Sequence, residues 1–313
     1  MSRPLALLDA ASLYFRSFYA LPDSMTAPNG MPVNAVRGFA DTVARILTDR
    51  RPARLVACLD ADWRPAFRVK ALPTYKAHRV ADPANNIEEV PDTLTPQVPI
   101  ILDLLDAMGL ATAEADGYEA DDVIGTLVAR ETTDPVEVVS GDRDLFQVVR
   151  HEPTPVSVLY VGRGWAKAEA LGPRELAERY DLPEENSGPA YADMALLRGD
   201  PSDGLPGVTG VGEKTAAKLI RRFGSLEGLL AAAAADDKMV PLRVKTALKD
   251  AAKYVAAAPL VVRVALDAAV TVDRADTIPD KPRDLDRVLA LQEKWDLGAS
   301  VDRLLAALQA AKA

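Results

Sequence analysis

Three short apolar runs, far apart in the chain, each stop at an aspartate, and this recurrence limits the fold more than any other feature. Leu5–Leu8 is followed by Asp9, Leu55–Leu59 by Asp60, and Val136–Val139 by Ser140-Gly141-Asp142. A fourth run spans Val156–Val161. Runs of this length, rich in Val and Leu and bounded by Gly, Pro or Asp, have the character of strands buried on both faces of a parallel sheet. Helix-compatible spacing at 34–49, 97–108 and 118–131 lies between them. The alternation predicts an α/β fold with a mainly parallel central sheet flanked by helices. Further helical patterns occupy 173–180, 189–198, 213–222, 225–234, 241–257 and 283–311, punctuated by Gly and Pro at 172–173, 204–212, 224 and 259. The expected division is an α/β core over 1–175, including a basic segment at 62–99, and a helical region over 176–313. Residues 81–99 read as a long Pro-rich connection of a kind that is usually functional or mobile.

Composition removes several classes. No stretch approaches 18 apolar residues, so no membrane span is expected. Asp9 and Arg16 interrupt the N-terminal apolar stretch, which a signal peptide would not tolerate. Cys58 is the only cysteine, which excludes an internal disulfide framework and a Cys-based zinc site. These features predict a cytoplasmic protein. Lys and Arg total 37 against 46 acids, a net charge of −9, which by itself speaks against a nucleic-acid partner. The local pattern says otherwise: cations gather at 64–79 and 214–222, acids at strand ends and short loops.

In a parallel sheet the carboxyl ends of the strands line one edge, where ligands bind. Asp9, Asp60 and Asp142 should therefore converge, and Asp144 follows two residues after Asp142. Glu119, Asp121 and Asp122 fall in the first turn of a predicted helix, where the macrodipole favours negative charge. Asp200 and Asp203 sit in Gly199-Asp200-Pro201-Ser202-Asp203-Gly204. Any one of these acids reads as well as a cap or turn residue. Nine in five clusters do not, because converged carboxylates repel and need a counter-charge. An oxygen-only donor set, with two histidines in the whole chain, favours Mg²⁺ or Mn²⁺ over zinc, and the number of acids suggests two or more ions. Two ions can clamp the attacking and leaving oxygens of a phosphodiester.

Residues 62–79 interleave Trp63, Phe67 and Tyr75 with Arg64, Arg68, Lys70, Lys76 and Arg79. Stacking faces alternating with cations are what a single-stranded nucleic acid needs. Residues 205–222 carry Gly207, Gly210 and Gly212 before a predicted helix bearing Lys214, Lys218 and Arg221. Glycines allow close backbone approach, and the helix start points free N–H groups at an anion. The pattern is that of a helix-hairpin-helix that holds a duplex backbone without reading bases.

Taken in order, these residues resemble the bacterial 5′-3′ exonuclease and flap endonuclease family, which includes the N-terminal nuclease domain of DNA polymerase I. The likeness runs from about Leu5 to Ala258 and covers Leu8-Asp9-Ala10, Asp60, Phe67-Arg68, Tyr75-Lys76-Ala77 with Arg79, Gly117–Asp122, Gly141–Asp144 and Gly199–Thr215. The resemblance implies a PIN-like 5′ nuclease fold, a helical arch beneath or through which the 5′ end passes, and a helix–three-turn–helix on downstream duplex. It implies that Asp9, Asp60, Glu119 and Asp121 form one metal cluster, and Asp142, Asp144, Asp200 and Asp203 a second, with Asp122 between. Arg68, Lys76 and Arg79 resemble catalytic arch cations that meet the scissile phosphate, and Tyr75 the residue near the 5′ nucleotide. The Gly207–Gly212 loop resembles a site where backbone carbonyls, those of Val208 and Val211, hold K⁺ beside DNA.

The implied substrate is branched or nicked DNA with a 5′ single-stranded end, or RNA primers. The enzyme would act as a monomer in the nucleoid, beside a polymerase and a ligase. Gly204 stands where many relatives have Asn, and the chain stops at 313, so a stand-alone nuclease is expected. Two other readings are a non-catalytic junction-binding repair protein and a PIN-like ribonuclease. The intact acids argue against the first. The basic segment and the glycine hairpin argue against the second.

Overall fold

The computed structural model describes residues 3–82 and 87–311. Among these, nine strands form: β1 (Leu5–Asp9), β2 (Arg54–Cys58), β3 (Val80–Asp82), β4 (Ile87–Glu88), β5 (Ala111–Glu114), β6 (Val136–Ser140), β7 (Val156–Tyr160), β8 (Glu169–Leu171) and β9 (Thr271–Val272). Seven make one sheet in the order β8-β7-β6-β1-β2-β5-β9. The inner five are parallel, and β8 and β9 add antiparallel edges. β3 and β4 pair separately as an antiparallel ribbon.

Side chains alternate across the strands, so Leu5 and Leu7 pack with Val56, Val138 and Val158 on one face. Ala6 and Leu8 pack with Leu55, Ala57, Val139 and Leu159 on the other. Both faces are covered, which is why these strands read as unbroken apolar runs.

The helices are α1 (Ala10–Ala20), α2 (Asn34–Arg45), α3 (Ala66–Ala71), α4 (Val98–Met108), α5 (Ala120–Arg130), α6 (Pro173–Tyr180) and α7 (Ser187–Arg198), followed by α8 (Glu213–Phe223), α9 (Leu226–Ala234), α10 (Leu242–Asp250), α11 (Ala252–Val262), α12 (Leu285–Trp295) and α13 (Ala299–Ala310). Leu13, Phe39, Leu104, Val288 and Val301 bring α1, α2, α4, α12 and α13 onto one face. Ile124, Tyr191 and Ile220 bring α5, α7 and α8 onto the other. The result is a helix–sheet–helix sandwich.

The four expected strands form, and the structure departs from expectation elsewhere. β5 is Ala-Thr-Ala-Glu, which carries no bulky apolar residue and is buried by its place between β2 and β9. α1 was not anticipated, because four aromatics at 14, 15, 18 and 19 blur its apolar stripe. The 241–257 pattern breaks at Ala251 into two helices, and α11 runs through Pro259 instead of stopping there. Among its described residues, segment 62–99 holds less helix than an arch implies: α3, 3₁₀ turns at Ala77–Arg79 and Thr95–Gln97, the β3–β4 ribbon and the first two residues of α4. Pro83 lies outside the described residues.

The Pro-rich connection ends in an anchor. Gln97 is buried, and its side-chain oxygen accepts the Ala35 N–H at 2.8 Å, capping an open turn of α2. The expected helical region also ends early. After α11 the chain returns to the core, where β9 pairs with β5 and α12 and α13 join the α2–α4 layer. Residues 271–311 thus pack on the sheet, with β9 at its edge and α12 and α13 beside α2 and α4.

Candidate active site

The acids gather where the strand order predicts, along the carboxyl edge. Asp9 closes β1 and caps α1, accepting the Ser12 N–H at 3.1 Å and the Ser140 hydroxyl at 2.5 Å. Asp60, two residues beyond β2, accepts the Ala120 N–H at 2.7 Å, which ties it to the start of α5. Asp142 and Asp144 follow β6, and the Asp144 N–H donates to the Asp142 carboxylate at 3.0 Å.

Two polar cavities result. One, of about 250 Å³, is lined by Asp9, Asp60, Glu119, Asp121 and Asp142, with Lys76 and Arg79 at its side. The other, of about 500 Å³, is lined by Asp142, Asp144 and Asp200 with Arg143, Tyr160 and Arg198. Asp142 belongs to both. Asp203 lines neither, but its carboxylate takes Arg79 at 2.8 Å.

The electrostatics are those of an under-compensated cluster. Burial, then the charges of Asp60 and Asp142, push Asp9 up to about 7 against hydrogen bonds from Ser140 and Ser12. Burial and the neighbouring Asp9 and Asp142 push Asp121 well above the carboxylate range. Asp60 is raised chiefly by burial, and Asp144 by burial together with Asp142, Asp203 and Asp200. For Lys76, burial pulls its ammonium down, but Glu119, Tyr75 and Asp203 outweigh it and hold the group above the usual lysine value.

Such a site draws cations, and its donors are all oxygen, which suits a hard divalent ion. Among the described residues no group of three or more acids, histidines or cysteines is placed to wrap a single ion.

Three expected site residues stand elsewhere. Arg68 is 2% exposed and faces neither cavity. Its guanidinium donates to both Asp122 oxygens at 2.7 Å, to Glu119 and to the Val261 carbonyl. All of its nitrogens are engaged, so in this state it braces Glu119 and Asp122 at the start of α5. Asp122 is fully buried and also accepts the Ala265 N–H at 2.7 Å, so in this state it brackets Arg68 against the backbone after α11. Tyr75 is 4% exposed, its hydroxyl donating to Glu119 at 2.7 Å, so its ring has no free face for a base. Lys76 and Arg79 do line the carboxylate cavity. Lys76 pairs with Glu119 in this state.

The glycines of the hairpin separate into two kinds. Gly207 has φ +66, and a Cβ there would lie 2.5 Å from the Arg198 carbonyl, so it is needed for packing. Gly210 and Gly212 face open space and leave the backbone approachable. Val208 and Val211 turn their side chains inward, and the Val208 carbonyl accepts the Val211 N–H at 2.9 Å. Lys214 and Lys218 are exposed, while Arg221 is tied to Asp181.

The sequence reading missed Ser12, Phe15, Arg16 and Glu88 in the carboxylate cavity, whereas Trp63, read as a stacking face of the basic segment, lines it. The first three share one face of α1 at a helical spacing from Asp9, a signal that was legible once a helix had been assigned there.

A family model described as the 5′-3′ exonuclease N-terminal resolvase-like domain matches residues 4–181, and one for the 5′-3′ exonuclease C-terminal SAM fold matches 187–285. A 5′-3′ exonuclease of Mycobacterium tuberculosis is 57% identical over 315 residues, covering 98% of each chain. One from Streptomyces coelicolor is 52% identical, over 97% of this chain and 100% of its own. DNA polymerase I of Mycobacterium bovis is 36% identical over 98% of this chain but only 32% of the polymerase. Among solved structures, a bacteriophage T5 flap endonuclease complex with DNA and metal ions aligns with TM-score 0.65 at 17% identity, covering 98% of this chain and 100% of that one. Human GEN1 with Holliday junction DNA aligns with TM-score 0.63 at 16% identity, over 99% and 73%. The last two show a shared fold. Both halves match exonuclease families, and full-length relatives exceed half identity, so the chain belongs to the 5′-3′ exonuclease family.

Proposed function

We propose that this exonuclease is a divalent-metal-dependent, structure-selective 5′ nuclease that hydrolyses DNA phosphodiesters at single-strand/duplex junctions. The carrying observation is the cavity in which Asp9, Asp60, Glu119, Asp121 and Asp142 meet Lys76 and Arg79 at the carboxyl edge of the sheet. Asp9, Asp60, Glu119 and Asp121 would hold one Mg²⁺ or Mn²⁺, and Asp142, Asp144, Asp200 and Asp203 another, some of them through bound water. When bound, such ions polarise the phosphate and lower the pKa of water. In the free protein Lys76 and Arg79 neutralise Glu119 and Asp203, and with ions bound they would be free to face the phosphate. Cleavage leaves a 5′-phosphate and a 3′-hydroxyl.

In this reading the hairpin, with Gly210, Gly212, Lys214 and Lys218, anchors duplex downstream, with K⁺ at the Val208 and Val211 carbonyls. The DNA-binding helical region is α7–α11, and 271–311 belongs to the core. The 36% identity with the first third of polymerase I supports a replication setting beside a polymerase and ligase, with RNA primers among the substrates. The protein would act as a monomer in the nucleoid.

The test is a duplex with a 5′ flap, labelled at both ends and incubated with Mg²⁺ or Mn²⁺. Cuts at the junction and from the 5′ end are expected. Retention of uncut, bound DNA would return the reading to a junction-binding protein.

A further inference from the structure

A second cleft adjoins the carboxylate cavity. It holds about 240 Å³ between α1 and α2 and is lined by Leu13, Leu21, Val161, Trp165, Arg16 and Arg45, among others. Arg16 lines both spaces, so they share a wall. The arginine stem runs close over the strand end beside Asp142: a Cβ at Gly141 would lie 2.4 Å from the Arg16 Cδ.

The charges in the cleft are unbalanced in a specific way. Asp41 is held by Arg303 at 2.8 and 2.9 Å. Asp49 accepts the Trp165 indole N–H at 3.1 Å, which fixes the ring. Arg16 and Arg45 make no hydrogen bond or ion pair among the described residues. Two free guanidiniums beside an oriented indole and an aliphatic floor are the chemistry of base stacking with phosphate neutralisation. The volume is below the roughly 300–1,000 Å³ of drug-sized pockets, so it admits one base and not a stack.

We propose that this cleft is a subsite for one unpaired nucleotide of the substrate, its phosphate held by Arg16 and Arg45 and its base packed on Trp165. The proposal rests on the nuclease reading and deepens it, because it extends the substrate path one nucleotide beyond the carboxylates.

The chain has three tryptophans, so Trp63→Phe with Trp295→Phe leaves Trp165 as the sole reporter. The protein is titrated with 5′-phosphorylated tetrathymidylate in excess chelator, where nothing is cut. Quenching of Trp165 emission is expected, and in the otherwise native chain Trp165→Leu and Arg45→Glu should each weaken binding about tenfold. Arg45 is exposed and unpaired, so its loss leaves folding intact, and Arg45→Lys should restore most of the affinity. The unsubstituted chain, Trp165→Leu and Arg45→Glu are given divalent ion and a 5′-flap duplex. If the flap is cut while Trp165 emission and the Arg45→Glu affinity stay unchanged, the subsite is overturned and the nuclease reading stands. If the unsubstituted chain does not cut the flap, the nuclease reading fails and the subsite falls with it.

Discussion

Arg68 shows how much a single side chain can hold in place. Its guanidinium satisfies two buried acids and closes α11 onto α5 through the Val261 carbonyl. Removing one partner of a buried pair leaves the other charge uncompensated, at a cost of about 3–5 kcal/mol. Arg68→Ala should therefore lower Tm by about 6–20 °C in a thermal melt, for a chain of this size. An unchanged Tm with a collapsed single-turnover rate would return Arg68 to the phosphate. Asp121 should behave in the opposite sense. Its carboxylate makes no hydrogen bond among the described residues and is crowded by Asp9, Asp142 and Glu119. Asp121→Asn should raise the Tm of the ion-free protein while abolishing most cleavage, the trade expected where function needs repelling charges. A lower Tm would show the acid to be structural.

At the scale of elements, the segment 74–79 is seated on the 200–204 loop. The Thr74 hydroxyl donates to the Gly204 carbonyl at 2.8 Å, the Lys76 N–H to the Asp203 carbonyl at 3.0 Å, and Arg79 to the Ser202 carbonyl at 2.8 Å. Gly204 has φ +73, and a Cβ would lie 2.0 Å from the Thr74 carbonyl oxygen. Only glycine lets the two segments meet, which gives a physical reason for its replacing the expected Asn. Gly204→Ala should lift 74–79 from its seat, so that trypsin cuts at Lys76 and Arg79 sooner and single-turnover cleavage slows. Unchanged proteolysis would contradict this.

The hairpin gives an independent test. Lys214→Ala should flatten the log–log salt dependence of duplex binding by about one unit on any sequence. A Cβ at Gly212 meets nothing in the free protein, so loss of duplex affinity in Gly212→Ala, and more of it in Gly212→Val, reports blocked phosphate approach. These elements were legible in part. The hairpin's glycine spacing and the basic segment's composition were plain in the sequence. The docking of Thr74 on Gly204, the burial of Tyr75 and the inward turn of Arg68 depend on contacts between segments 44 to 193 residues apart, to which local pattern is blind.

Across the whole molecule, the parallel order β7-β6-β1-β2-β5 does the assembling: β1 in the centre places Asp9 between the loops after β2 and β6. The apolar runs made this arrangement readable, because strands buried on both faces carry no polar alternation. The return of α12 and α13 to the first layer was not readable, since their amphipathic pattern says that they pack and not where. The central claim is that the carboxylate edge acts by holding divalent ions. Single-turnover cleavage of a 5′-flap duplex, measured against Mg²⁺ or Mn²⁺ concentration for the native chain and for Asp142→Asn, tests it most directly. The account predicts no cleavage in excess chelator, recovery on adding the ion, and a rate lower by several decades in Asp142→Asn at any ion concentration. Undiminished cleavage in chelator, or a native rate for Asp142→Asn, would contradict it.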